Sequence, residues 1–208
     1  MIPVSANGVS DFTPARCLNA DGTRKEGAPV YRLAHWTVRS RADFAEAVMI
    51  ACGRPVTDEE VMETACEGVL AGFEGEEQSA ALATLDAEKA RQDRAAAASA
   101  NGKADQTPEE LEEAAALAKA IDRLDLKLSR CYPPYARVLA AQEKRLDVMI
   151  RLAAQALLRG WEGVEPPCEL VGGRVTEAAL DSLGPVDLLE VGAEALRRRV
   201  LSPQQQKN

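Results

Sequence analysis

A heptad pattern of apolar residues between Thr107 and Cys131 is the strongest periodic signal in this sequence. Thr107-Pro108-Glu109-Glu110 predicts the start of a helix, because it supplies an N-cap hydroxyl, a proline in the first turn and a glutamate at the third helical position. Apolar side chains then recur every three or four residues along one side of the helix. We call this set the seam: Ala114, Leu117, Ile121, Leu124, Leu128 and Cys131.

The length of the seam decides how this helix is expected to be used. The seam extends over about two and a half heptads, whereas an independent coiled coil needs about three or four. An antiparallel hairpin with the alanine-rich residues 76–99 is therefore expected, since alanine favours helix formation. The same stripe would also serve as a homo-oligomer interface, and the sequence leaves both arrangements open.

A second amphipathic helix is predicted from about Tyr135 to Arg159, after Pro133-Pro134 interrupts the first one. Its apolar sector is broader than a seam, which is typical of a core helix that is buried on more than one side. Gly160 is expected to end this helix. Trp161 follows at once, and we expect its large side chain to be mainly a core residue at the helix end.

The flanking segments add short strands and helices. Residues 1–29 are rich in turn-forming residues and predict a flexible N-terminal arm. A strand is predicted over Val30–Val38, followed by helices with N-caps at Ser40 and Thr57. The C-terminal pattern predicts a β-hairpin about Gly172-Gly173, a helix from Thr176 to Leu183, a last helix from Pro185 to about Leu201, and a polar tail over residues 204–208.

Together these elements predict a mainly α fold with minor β structure. We expect a compact helical body from residues 30–75 and 132–203. Residues 76–131 are expected to form an inserted antiparallel helical hairpin. A medium-sized domain with such an insertion fits the chain length of 208 residues.

The charge balance argues against nucleic-acid binding. The formal net charge is −8 and the isoelectric point is about 4.9, whereas phosphate-binding surfaces concentrate Lys and Arg. Met1-Ile2-Pro3-Val4 lacks the basic and apolar regions of a signal peptide. No apolar run approaches the roughly 18 residues that a membrane span requires. We therefore expect a cytoplasmic protein with neither a nucleic-acid nor a membrane partner.

Motifs for catalysis or cofactor binding are not found in the sequence. It contains neither phosphate-binding glycine motif, no nucleophile elbow and no H-E-x-x-H pattern. Five widely spaced cysteines and the single histidine, His35, offer few ligands for zinc. We expect His35 to be a half-buried strand residue and the protein to be a non-enzyme without metal or cofactor.

Three groups of residues are candidates for protein–protein contacts. Between Asp58 and Glu77 there are eight carboxylates and no Lys or Arg, which predicts either a solvated surface or a docking face for a basic partner. Tryptophan is favoured at interface hot spots, so both tryptophans are included, as are the large residues of the seam. The interaction candidates are Glu59, Glu60, Glu63, Glu67, Trp36, Trp161, Leu117, Ile121, Leu124 and Leu128.

The C-terminal part of the chain resembles the bacteriophage tail assembly chaperones. The resemblance lies in a long helix followed by Leu158-Arg159-Gly160-Trp161-Glu162-Gly163-Val164, a glycine-containing hairpin, the helix start Thr176-Glu177 and a final helix. The strand and helix from Tyr31 to Gly53 are also similar to the N-terminal part of that family. The resemblance covers about half of the chain. Residues 76–130 depart from the pattern, as an insertion would.

This resemblance implies a protein that binds the phage tape measure protein and recruits tail tube subunits in the cytoplasm of the bacterial host. The expectations from charge and helical content are compatible with that role. Two other functions stay open: a permanent virion component, such as a head–tail connector or minor tail protein, and a small helical regulator that self-associates.

Overall fold

A computed structural model describes residues 8–100 and 107–199 of the chain. It confirms a mainly α fold with minor β structure. The chain divides into two compact units. The sheet unit comprises Met1–Arg54 and Lys144–Asn208, and the hairpin unit comprises Pro55–Glu143.

The sheet unit is built on a three-stranded antiparallel sheet with the order β1-β2-β3. Its elements are β1 (Val9–Phe12), β2 (Val30–Ala34), α1 (Val38–Cys52), the second part of α5 (Pro133–Leu157), β3 (Leu158–Glu162), β4 (Leu170–Val171), β5 (Arg174–Val175), α6 (Glu177–Ser182) and α7 (Pro185–Arg197).

The core of the sheet unit lies between β2, β3 and the helices. Tyr31 of β2 stands opposite Trp161 of β3 in the antiparallel register, and both side chains are buried. The fully or nearly fully buried residues around them include Leu33, Leu157, Leu158, Leu180, Val191 and Ala195. Removal of these apolar surfaces from water is the main term that stabilises the unit.

The predicted flexible arm over residues 1–29 is wrong for the part that the structure describes. Residues Val9–Phe12 form the edge strand β1, and Ala15–Cys17 form a 3₁₀ turn. Arg16 pairs with Asp187 and Glu190 of α7. These long-range contacts have no periodic signature in the sequence, so a count of turn-forming residues alone could not find them. Residues 1–7 lie outside the described part.

The start of α1 corrects the predicted boundary between strand and helix. β2 ends at Ala34, and the N-cap is Thr37 rather than Ser40. The Thr37 hydroxyl accepts a hydrogen bond from the Ser40 backbone N–H at 3.0 Å. The Ser40 hydroxyl in turn accepts one from the Thr37 backbone N–H at 2.9 Å. Two small hydroxyl residues three apart form a reciprocal capping box, which places the helix start earlier.

The end of α5 is also corrected. The helix ends at Leu157, and the next five residues form strand β3 instead of a further helical turn. Gly160 has φ 142° within this strand, so it does not act as a helix C-cap. Pairing with β2 supplies backbone hydrogen bonds that compensate for ending the helix early. The prediction that Trp161 is a core residue is confirmed by its 8% exposure.

The C-terminal elements follow the predicted order. β4 and β5 pair about Gly172 and Gly173, and the Thr176 hydroxyl caps α6. α7 begins at Pro185 and ends at Arg197, earlier than the predicted Leu201. The polar tail over residues 204–208 lies outside the described residues.

The hairpin unit consists of α2 (Asp58–Gly72), α3 (Gly75–Ala100), α4 (Pro108–Cys131) and the first part of α5. The first half of α3 and the last half of α4 share one apolar cluster, so the two helices are antiparallel. This cluster consists of Ala65, Val69, Phe73, Ala81, Leu85, Leu124, Leu128 and Tyr135. The described parts of residues 76–131 therefore fold back on each other within one chain, which is one of the two arrangements left open by the sequence.

The boundary between the two units lies at Pro55, earlier than the predicted boundary at residue 76. Helix α2 therefore does not belong to the predicted body of residues 30–75 and 132–203, because its buried face packs with α3 and α4. The Cβ that an alanine would add at Gly68 would lie 2.8 Å from the Tyr132 ring, so α2 runs very close to the end of α4. The hairpin therefore belongs to a larger helical unit, because α3 and α4 alone leave one side of their apolar faces uncovered.

Candidate interaction surface

The two halves of the seam of α4 differ in burial. Leu124 and Leu128 are buried, with exposures of 7% and 0%, and they pack against α2 and α3. Ile121 is half-buried at the edge of that cluster. Leu117 is also half-buried, but it is not part of the cluster. The seam therefore packs inside the unit only in its C-terminal half.

The distal half of the hairpin, residues 86–98 and 107–123, contains no buried residue among those that the structure describes. The reason lies in the sequence of α3. Its inward-facing positions change from the apolar Ala81 and Leu85 to the polar Glu88 and Gln92. These two side chains bond to each other at 3.0 Å. α3 thus offers no large apolar side chain to the distal part of α4.

An apolar strip on α4 is consequently left open. Leu111, Ala114, Ala118 and Ile121 occur at intervals of three, four and three residues, so they lie on one side of the helix. Leu111 is 54% exposed, Ala118 is exposed, and Ala114 and Ile121 are half-buried. We call these four residues the distal strip.

Carboxylates border the distal strip. Asp125 continues the spacing of the strip by one further step and is half-buried. Burial raises the pKa of Asp125, and the negative charges of Asp122 and Glu88 raise it further. The Tyr135 hydroxyl donates a hydrogen bond to the Asp125 carboxylate at 2.7 Å, which acts in the opposite direction. A cation placed beside Asp125 would relieve this repulsion.

The predicted acidic face on α2 is divided between structural and free carboxylates. Glu60 closes the capping box of α2 by accepting a hydrogen bond from the Thr57 backbone N–H at 2.9 Å. Glu67 accepts one from the Tyr132 hydroxyl at 3.2 Å. Glu59 and Glu63 are exposed, and neither has an ion-pair partner among the described residues. Two of the four glutamates therefore have a structural role.

Trp161 is buried in the core of the sheet unit, and Trp36 is half-buried against that core. Trp161 donates a hydrogen bond from Nε1 to the Pro166 carbonyl oxygen at 3.0 Å. Trp36 donates one to the Ala195 carbonyl oxygen at 2.8 Å and packs edge-on against Phe44 at 5.2 Å between ring centroids. The buried ring of Trp161 is not offered to a partner, so its inclusion among the interaction candidates is wrong.

The described residues contain neither a metal-binding cluster nor a candidate membrane span. No group of three or more His, Cys, Asp or Glu side chains there could hold a metal ion. No described helix has the length and apolar character needed to cross a membrane. His35 is half-buried, as expected, but it lies just after β2 rather than within the strand.

Comparisons of the chain with protein-family models, with curated proteins and with solved structures return no match.

The seam is evident from the sequence pattern, whereas the distal strip becomes evident only in the structure. Leu111 and Ala118 lie outside the seam register. They form part of an uncovered apolar face because the inward-facing residues of this part of α3 are the polar Glu88 and Gln92. A signal was nevertheless present. A second apolar register starts at Leu111, and it ends in a carboxylate at Asp125.

Proposed function

We propose that this protein is a non-enzymatic assembly chaperone of bacteriophage tails, which binds the tape measure protein and recruits tail tube subunits in the cytoplasm of the bacterial host. The observation that carries the proposal is the distal strip, an apolar helix face next to a packed core that the other described helices of the unit cover only in part. Such a face favours binding of a further helix, and a tape measure protein offers long helices.

The resemblance of the C-terminal part to this family supports the same function. Its most specific segment, Leu158 to Val164, forms β3 and the residues that follow it. Because β3 pairs with β2, the resemblance of this segment concerns the sheet unit. The distal strip lies within residues 76–130, the segment that departs from the family pattern, so this binding surface has to be argued separately.

Affinity purification of the tagged protein from native-host lysate, followed by mass spectrometry, tests this proposal. We expect a very long helical protein and a tube-forming subunit to copurify with it. Recovery of portal and connector proteins instead would favour a permanent virion component. Recovery of the protein alone, as a self-associated species, would favour the helical regulator.

The same proposal predicts that the protein leaves before the tail is complete. Purified mature particles should therefore lack it, while lysates taken during assembly should contain it. Detection of the protein at a fixed stoichiometry in mature particles would contradict the chaperone function.

A further inference from the structure

The net negative charge of the protein arises from one unit. Between Pro55 and Glu143 the sequence has 19 acidic and 9 basic side chains, which gives a formal charge of −10. The remaining residues have 14 acidic and 16 basic side chains, which gives +2. The net charge of −8 therefore arises from the hairpin unit, and the strip lies in the acidic unit.

The carboxylates are also concentrated next to the strip itself. From Pro108 to Ala118, helix α4 carries four glutamates and no Lys or Arg. Glu110 belongs to the capping box, in which it accepts a hydrogen bond from the Thr107 backbone N–H at 2.7 Å. Glu109, Glu112 and Glu113 are exposed, and no ion pair of theirs is seen among the described residues. Asp122 and Asp125 border the other end.

We infer that the distal strip binds an amphipathic helix of a partner protein that carries Lys or Arg on both sides of its apolar face; this rests on the proposed function, in which the protein binds a helix of another protein. Leu111 and Ile121 supply the larger apolar contacts. Ala114 and Ala118 lie between them and let a second helix approach closely. The bordering carboxylates supply charge complementarity.

The negative charge of the hairpin unit favours a basic helix over a second copy of the chain as the partner of the distal strip. Two hairpin units that met at their strips would bring two formal charges of −10 together. The glutamates of one copy would then face those of the other, and like charges across an interface oppose association. A basic helix has the opposite effect. It relieves the repulsion around Asp125 and pairs with exposed carboxylates for which no ion pair is seen among the described residues.

A peptide-binding measurement tests this inference with the full-length protein. The probe is a fluorescently labelled peptide of about 18 residues, or roughly five helical turns. It has Leu at alternating intervals of three and four and Lys on both flanks. The matched probe has Glu in place of every Lys. Fluorescence anisotropy should show binding of the Lys peptide and no binding of the Glu peptide.

Two variants separate the strip from the general charge of the unit. Ala118→Lys places a long cation in the middle of the strip. Ala116→Lys makes the same change at another exposed position on the opposite side of α4. Both variants change the net charge equally and preserve helix propensity. Ala118→Lys should weaken binding of the Lys peptide about tenfold or more, whereas Ala116→Lys should change it by less than about twofold.

Three results would overturn the inference: no binding of the Lys peptide, equal weakening by both variants, or a dimer of the parent that Ala118→Lys converts to monomer in sedimentation. Circular dichroism melts of both variants show whether each is folded. This test can fail independently of the proposed function. Copurification of tail proteins without peptide binding would place the chaperone surface elsewhere, and peptide binding without tail proteins would keep the surface and reject the tail partner.

Discussion

At the scale of single residues, glycine positions show where two helices approach most closely. Gly192 of α7 lies against the backbone of Ile150 in α5. A Cβ added there would contact the Ile150 carbonyl oxygen and lie 2.8 Å from the carbonyl carbon. Backbone atoms cannot move aside as a flexible side chain can. The tight packing of the sheet unit therefore depends on this glycine.

Gly192→Ala should destabilise the sheet unit by about 1–3 kcal/mol, as overpacking of a core does. Gly72→Ala is the matched change, since its Cβ would meet the Cys131 side chain, with Sγ at 3.3 Å and Cβ at 3.9 Å, and no backbone atom. The stability of that variant should stay within about 1 kcal/mol of the parent. Urea denaturation followed by tryptophan fluorescence measures the first effect, and circular dichroism measures the second. Equal loss in both variants would contradict this account of the α5–α7 contact.

Asp125 gives the hairpin unit a specific pH dependence. Its pKa is raised in the folded protein, mainly by burial and further by Asp122 and Glu88. The folded state therefore binds the proton more tightly than the unfolded state. The stability contribution of this group is complete below the unfolded pKa and is lost as the pH rises through the folded pKa.

Asp125→Asn should remove this loss of stability at higher pH, because asparagine does not ionise. Its amide oxygen can still accept the hydrogen bond from the Tyr135 hydroxyl. The melting temperatures of variant and parent should be close at about pH 4, and the variant should become more stable than the parent towards about pH 6. Asp21 provides the control, because hydrogen bonds from the Thr23 hydroxyl and backbone N–H lower the pKa of its carboxyl. Asp21→Asn should therefore not raise stability in this range. A constant difference between Asp125→Asn and the parent across the pH range would contradict the prediction.

At the scale of secondary-structure elements, the hairpin has a packed half and an open half. The packed half contains Leu85, Leu124 and Leu128, whose loss would expose the buried face of α2. A deletion of residues 80–130 would remove all three and should leave an aggregation-prone product. The open half contributes no buried residue among those described, so its removal should be tolerated.

Replacement of residues 89–120 by a turn of about four Gly and Ser residues tests this division, because neighbouring antiparallel helices are joined by connections of that length. The shortened protein should remain folded, with a melting temperature close to that of the parent. It should also lose binding of the Lys peptide, since Leu111 and Ala118 are gone. If the shortened protein no longer melted cooperatively, the distal half would be needed to stabilise the unit, and the division into a packed and an open half would be contradicted.

The elements that the sequence predicted well are those with local signals. The Thr107 and Thr57 capping boxes, the break at Pro133 and the Gly172-Gly173 hairpin depend on neighbouring residues, and the structure contains each of them. Strands β1 and β3 depend on pairing with β2, which is far away in sequence. The helical appearance of Leu158 and Arg159 was therefore overridden by tertiary contacts. The assignment of α2 to the wrong unit has the same cause.

At the scale of the whole molecule, the two units differ in charge and should respond differently to salt. The hairpin unit has a formal charge of −10 and repels itself, whereas the sheet unit has +2. Screening weakens repulsion between exposed charges. Salt should therefore stabilise the hairpin unit more than the sheet unit.

Both tryptophans lie in the sheet unit, which makes the difference measurable. On raising NaCl from about 20 mM to about 500 mM, the melting midpoint from far-ultraviolet circular dichroism should rise more than the midpoint from tryptophan fluorescence. A uniformly charged chain would shift both midpoints equally, and that result would contradict the separation of charge.

The central claim is that the distal strip of the hairpin unit receives a helix of another protein during tail assembly. Parallel affinity purifications of the parent, Ala118→Lys and Ala116→Lys from native-host lysate test it most directly, with the tape measure protein quantified by mass spectrometry. We predict that the parent and Ala116→Lys recover similar amounts and that Ala118→Lys recovers about tenfold less. Recovery by Ala118→Lys equal to that of the parent would contradict the claim.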